Sequence, residues 1–181
     1  MELDLTAVLP PRRAAPLAAA AFGAAVTAAA LAGGAATRRS ARSRWYAALR
    51  KPPGQPPPAV FGPVWTALYA AMATSGYRVW RTSSPGRSRA LRLWAAQLAL
   101  NAAWSPLFFG ARRPRAALAD VALLLPTVGA YALAARKVDR AAAWLVVPYL
   151  AWTGFALWLN AGLVVKNRRR LARSSQRWLA V

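Results

Sequence analysis

The chain has 181 residues, room for one domain, and 57% of them are hydrophobic, yet 25 basic and four acidic side chains give it a net charge of +21. It contains no Cys and no His, which excludes disulfides, thiolate chemistry, zinc held by Cys or His, and a proximal His for haem. The charges fall in short basic runs between long apolar ones, which excludes an ordinary soluble domain and is the pattern of a multi-span membrane protein.

The basic runs sit at the ends of the apolar ones and build no single face, so the lipid bilayer is the expected partner and nucleic acid is not. Of the basic residues only Lys51, Lys137 and Lys166 are lysine. With so much Ala, the Arg excess reads as GC-rich coding.

Residues 1–13 are a polar head with Glu2, Asp4, Arg12 and Arg13. The first span, 14–36, is uncharged and would rise about 34 Å as a helix, enough to cross a bilayer. Its Gly23, Gly33 and Gly34 suit close helix contact. A cleaved signal peptide is the rival reading, since Arg12 and Arg13 precede it, but the run is long for one.

The loop 37–58 carries six basic residues and the segment Pro52-Pro53-Gly54-Gln55-Pro56-Pro57-Pro58, which favours extended polyproline-like backbone. So long a loop is expected either to be functional, as a lid formed by Trp45, Tyr46, Arg50, Lys51, Pro52 and Pro57, or to be a spacer.

The second span, 59–80, has Pro63 in its first turn and Trp65, Tyr69 and Met72 on one face. The third, 91–109, carries Trp94, Gln97, Asn101, Trp104 and Phe108 as one stripe. Amides in a membrane helix are costly unless they face inward, so this stripe is placed inside the bundle. The fourth, 116–135, holds Pro126 mid-helix and Asp120 about one turn in, where an ion pair with Arg112, Arg113 or Arg115 is expected, with proton or substrate handling as the alternative. The fifth, 141–165, repeats Trp144, Pro148, Trp152, Ala156 and Asn160 every four residues, with a kink expected at Pro148. The tail 166–181 is basic and is expected to fray. Trp80, Trp144 and Trp178 suit a membrane interface.

The architecture predicted is all-α, an integral membrane bundle of five transmembrane helices in a single domain. The loop after span one, the loop after span three and the tail hold 15 basic residues and the opposite side ten, so the C-terminus is expected in the cytoplasm and the cytoplasmic membrane is the default location.

Three inward stripes converge, carrying Trp65 and Tyr69, then Trp94, Gln97, Asn101 and Trp104, then Trp152 and Asn160. Several indoles with a few amides suit a large, flat, π-rich ligand, with the lid's Arg residues available to carboxylates at the mouth. Helix packing explains such stripes as well, so spacing leaves both readings open. No metal site is expected.

The sequences WYAALRKPP at 45–53, FGPVWTALY at 61–69, QLALNAAWSPLFFGAR at 97–112, ALAD at 117–120 and PYLAWTGFALWLN at 148–160 resemble, in order and at matching spacing, segments of the TspO/MBR family. This family includes bacterial tryptophan-rich sensory proteins and the mitochondrial translocator, or peripheral benzodiazepine receptor, protein. The resemblance covers roughly 45–167.

It implies five transmembrane helices, a homodimer, and binding of porphyrin or haem-like tetrapyrroles as ligand, in a sensor or transporter of porphyrins in stress regulation. It further implies pocket roles for Trp65, Asn101, Trp104, Trp152, Ala156 and Asn160. Light-dependent porphyrin degradation, if present, would fall to Trp65 and Trp152. A non-catalytic scaffold role remains a third reading, with Gly154, Gly162 and span one as packing faces. Ala116 stands where many relatives have a ligand-contacting Trp, and Ala102 replaces a bulky aromatic, which implies a pocket of different shape. The fifth helix lacks the Tyr of the sterol motif proposed in animal relatives.

Overall fold

The computed structural model describes residues 14–171, Arg39 by its backbone alone. The head 1–13 and the tail beyond 171, with Trp178, lie outside the described residues. The described residues form five long helices and one short one: α1 (Ala14–Ser40), α2 (Arg44–Ala47), α3 (Pro58–Arg81), α4 (Arg87–Ser105), α5 (Pro114–Val138) and α6 (Arg140–Lys166). Among the described residues there is no strand.

The long helices form a closed ring in the order α1, α3, α6, α5, α4 and back to α1. The chain alternates direction, so α1, α4 and α6 end on the side where α3 and α5 begin. That side carries the lid, which we call the lid end. The protein is an all-α integral membrane bundle of five long helices, as the sequence predicts.

By length and hydropathy alone, the segments 14–38, 114–138 and 140–166 suffice to cross a membrane. Helices α3 and α4 fall short of that test. Arg87, Arg89 and Arg92 at the start of α4 lower its hydropathy, and the inward faces of both helices add Trp, Tyr, Ser, Gln and Asn. Helix α1 packs into the bundle. Its Val26 and Ala29 are buried and Phe22 meets Trp94 edge-on at 4.8 Å.

Proline and capping residues set the helix limits. Pro58 and Pro114 open α3 and α5, where the missing N–H costs nothing. Because α3 starts at Pro58, Pro63 lies beyond its first turn and inside the helix, where it leaves the Ala59 carbonyl without its usual donor. The third span is not α-helical to residue 109. Pro106 cannot donate to the helix, and Pro106–Gly110 winds as one wider turn in which Ala111 N–H reaches back to the Pro106 carbonyl at 2.7 Å. This turn buries the consecutive Phe108 and Phe109.

At the end opposite the lid, Asp139 caps α6 by accepting the Ala142 N–H at 3.0 Å. The Arg78 guanidinium approaches the same carboxylate, with Nε 3.0 Å from Oδ2 and Nη2 donating to Oδ1 at 3.3 Å. Burial raises the Asp139 pKa, but the amide N–H groups of Ala142 and Ala141 and the Arg78 charge outweigh it and leave the carboxyl below its ordinary value of 3.8.

Asp120 makes no ion pair with Arg112, Arg113 or Arg115. It is buried and its Oδ2 has no hydrogen-bond partner among the described residues, because the three arginines stand in the turn and first residues of α5 and reach outward. The chain after Lys166 does not fray at once: residues 168–171 turn helically, with Asn167 and Leu171 buried.

Candidate functional site

Three hydroxyl and amide groups meet across the ring below the lid. The Tyr69 hydroxyl on α3 donates to Asn101 Oδ1 on α4 at 2.9 Å, and Asn101 Nδ2 donates to the Tyr149 hydroxyl on α6 at 3.0 Å. Asn101 and Tyr149 are buried and Tyr69 half-buried. A buried amide in a membrane bundle needs such partners, and here it ties three helices together.

Toward the lid end, the ladder is followed by an aromatic wall. The Trp65 ring lies 5.3 Å from Tyr69 and 6.3 Å from Tyr149, and it meets Trp152 edge-on at 6.4 Å and 84°. Phe61 closes on Trp152 at 5.9 Å. Trp65 and Trp152 keep accessible surface although their neighbours Leu68, Tyr149 and Thr153 are buried.

Nearer the lid, Trp104 Nε1 donates to Asn160 Oδ1 at 3.2 Å, and Asn160 Nδ2 donates to the Ala156 carbonyl at 2.7 Å. The Trp104 ring stacks on Phe108 at 5.1 Å and 19°.

Seven of the eight predicted pocket residues take part in these contacts, in two groups: Trp65, Tyr69, Asn101 and Trp152 around the ladder, and Trp104, Ala156 and Asn160 nearer the lid. Gln97 lies on the same face of α4 as Asn101, one turn deeper. It is 1% exposed, and neither its Oε1 nor its Nε2 has a partner among the described residues. Two unspent amide atoms in an apolar interior are costly unless water or a ligand group satisfies them.

The stripes also contained residues that belong elsewhere. Trp94 supports the wall from outside it, donating from Nε1 to the Met72 carbonyl at 2.9 Å. Its ring fits only because residue 76 is glycine, where an added Cβ would stand 2.6 Å from Nε1. Trp144, by contrast, is 73% exposed on the outer face, in keeping with the interface position expected for it. A four-residue step overshoots the helical turn by about 40°, so the repeat from Asn160 back to Trp144 swings to the outer face. The inward set on α6 is instead Val146, Tyr149, Thr153 and Asn160. Tyr149 was missed by the stripe, although a three-residue step back from Trp152 reaches it.

The lid spans 41–57, shorter than predicted because α1 runs on to Ser40. It is not wholly extended. Ser43 caps the short α2 by accepting the Tyr46 N–H at 3.2 Å. Trp45 and Tyr46 point down onto Phe108 at 5.9 and 6.3 Å, and Tyr46 meets Phe109 at 5.4 Å. Lys51 folds back over the Tyr46 ring with Nζ 4.4 Å from its centre. Pro52 is buried and rests on Gly162, where an added Cβ would approach it to 3.1 Å. Gly162 is thus occupied inside the subunit and is not free as a packing face. Gly54, at φ +77°, turns the chain past the Trp158 ring. Pro57 holds the extended conformation that leads into α3.

The Arg50 side chain lines a separate cleft beside the end of α6. Its backbone is held by a residue the sequence did not single out. Asn167 Oδ1 accepts the Arg50 N–H at 3.0 Å and Asn167 Nδ2 donates to the Arg50 carbonyl at 2.8 Å.

A ring of five long apolar helices, closed at one end by a pinned lid over an aromatic and amide wall, defines a multi-pass membrane protein. The profile of the TspO/MBR family matches residues 21–165, and the chain belongs to that family. It is similar to the translocator protein of Ovis aries, 44% identical over 124 residues, or 67% of this chain and 73% of the relative. The human translocator protein is 46% identical over 114 residues, or 61% and 68% of the two chains. The tryptophan-rich sensory protein of Cereibacter sphaeroides is 42% identical over 110 residues, again 61% and 68%.

Proposed function

We propose that this protein binds a tetrapyrrole, a porphyrin or haem-like ligand, in the wall beneath the lid and acts as a sensor or transporter of porphyrins in stress regulation. The observation that carries the reading is the pairing of half-buried Trp65 and Trp152, 6.4 Å apart and almost perpendicular, above the Tyr69–Asn101–Tyr149 ladder. Indoles set this way offer one ring face and one ring edge to a large flat π-system. The unspent amide of Gln97 and the second N–H of each Asn amide, at Asn101 and Asn160, can orient polar groups of the ligand, while Trp104, its N–H held by Asn160, contributes its ring, with Ala156 leaving room beside it. Without His or Cys, a haem would be held by its faces and carboxylates and not by an axial ligand of those types.

Tryptophan fluorescence tests the reading. Protoporphyrin IX added in the dark should quench saturably, and a Trp65→Phe/Trp152→Phe variant should lose that saturable phase. Equal quenching in both proteins would refute it.

A second reading, resting on the match of Trp65 and Trp152 to the pocket tryptophans of the family, is light-dependent degradation of the bound porphyrin, with molecular oxygen as oxidant. It requires an illuminated, protein-dependent absorbing product that is absent in the dark. We place the lid and C-terminus on the cytoplasmic side of the cytoplasmic membrane and the functional unit as a homodimer. The lid end carries most of the basic residues, which supports that orientation.

A further inference from the structure

Beside the lid, a second concave surface lies outside the aromatic wall. A cleft of about 620 Å³ opens between the lid's base and the end of α6. Five of the residues lining it are cationic: Arg50, Lys166, Arg168, Arg169 and Arg170. Only Arg170 is engaged, donating from Nη1 to the Ala48 carbonyl at 2.7 Å. The charged ends of the other four have no partner among the described residues.

The sequence offers them no acid either. Its four acidic residues are Glu2 and Asp4 in the head, Asp120 buried in α5, and Asp139 at the opposite end of the bundle. Four unpaired cations around one cleft repel each other unless an anion enters.

Two features say where that anion comes from. The cleft sits where α6 leaves the membrane-spanning length. On the same helix the exposed residues turn apolar, with Val165 65% exposed in the cleft wall and Trp158 52% exposed below it. Cations above and an apolar flank beneath match a phosphate headgroup with its acyl chains running down the helix.

We propose that this cleft binds the phosphate of an anionic phospholipid headgroup, and that the bound lipid holds the lid closed. The coupling follows from Arg50 and Asn167, which both line the cleft and clasp each other through the Arg50 backbone. A phosphate bridging Arg50 to Arg168 or Arg169 stiffens the segment on which Pro52 and Trp45 are carried. The proposal does not depend on what binds beneath the lid.

The test uses the full chain in detergent with equal amounts of phosphatidylglycerol and phosphatidylcholine, counting retained lipid by native mass spectrometry. Phosphatidylglycerol should be retained several-fold over phosphatidylcholine. The preference should vanish in Arg168→Gln/Arg169→Gln and persist in Arg168→Lys/Arg169→Lys. It should also persist in Arg136→Gln/Arg140→Gln, which removes the same charge at the opposite end.

A preference untouched by the 168/169 change, or lost equally with the distant pair, overturns the site. If millimolar glycerol phosphate or inorganic phosphate displaces the lipid completely, the cleft takes soluble phosphate and the lipid assignment falls. Should the Gln variant not fold, salt replaces it: the wild-type preference must shrink as ionic strength rises, and a salt-independent preference contradicts the proposal. In nanodiscs, amide exchange across residues 49–55 should slow several-fold with phosphatidylglycerol; unchanged exchange removes the coupling to the lid.

Discussion

Asn167 grips the backbone of Arg50 from both sides, accepting its N–H at 3.0 Å and donating to its carbonyl at 2.8 Å across 117 residues of sequence. One side chain thereby fixes the base of the lid to the end of α6. Asn167 is 4% exposed, and its Nδ2 also lies 2.8 Å from the Leu163 carbonyl, so the amide cannot swing away without stranding polar atoms. The lid is therefore held to the end of α6 by the Asn167 clasp and by Arg170, whose Nη1 donates to the Ala48 carbonyl at 2.7 Å, over an apolar underside of Trp45, Tyr46 and Leu49.

Removing the clasp should loosen the lid more than the bundle. Asn167→Ala strands the Arg50 N–H and carbonyl at a cost of about 1–3 kcal/mol. Hydrogen exchange should accelerate at residues 49–55 while the Ser75–Tyr131 region stays protected. Uniform acceleration would mean that the clasp supports the whole fold.

The ladder should matter for orientation as well as for stability. Asn101→Leu keeps the volume but breaks both hydrogen bonds, leaving Tyr69 and Tyr149 with unspent hydroxyls in an apolar setting. Porphyrin affinity should fall about tenfold or more, equal to at least about 1.4 kcal/mol, with a smaller loss for Tyr69→Phe. An affinity unchanged in Asn101→Leu would make the ladder purely structural.

The glycine notch at 76 is a packing requirement. A Cβ there would stand 2.6 Å from Trp94 Nε1 and 2.8 Å from Phe22, both large and fixed. Gly76→Ala should cost about 1–3 kcal/mol by overpacking, read as a lowered Tm. Gly23→Ala has open space around it and should be close to neutral by the same measure.

Much of this was legible in the sequence, for physical reasons. Long apolar runs broken by Arg, Pro and Gly gave the five helices, and 3.6-residue spacing brought Trp65, Tyr69, Asn101 and Trp104 onto inward faces. What escaped depends on partners far away in the chain. Asn167 sits in a run of arginines with no periodic signal, and only the fold brings Arg50 to it. Ser75 looks like an ordinary small residue, yet its hydroxyl donates to the Ala142 carbonyl at 2.7 Å and lies 2.6 Å from the Tyr131 hydroxyl. A carbonyl can only accept, so Tyr131 donates to Ser75, and the three groups join α3, α5 and α6. Asp120 was misread because charge proximity in sequence says nothing about which way a helical side chain points.

Asp139 should make the bundle acid-sensitive. Its carboxyl is held below 3.8, so the stabilisation is fully present above that value and is lost as pH falls through the lower folded value. The Tm of wild type should decline below about pH 4, while Asp139→Asn starts lower at pH 7 and declines less. Parallel curves for the two proteins would show that Asp139 contributes nothing to the pH dependence.

The central claim is that Trp65 and Trp152 line a porphyrin site. The most direct measurement is a dark fluorescence titration with protoporphyrin IX of wild type, Trp65→Phe/Trp152→Phe, and Trp144→Phe, which changes an indole on the outer face. The account predicts saturable quenching in wild type and Trp144→Phe, and its loss in the double variant. Saturation that survives in the double variant, or that disappears with Trp144, would contradict it.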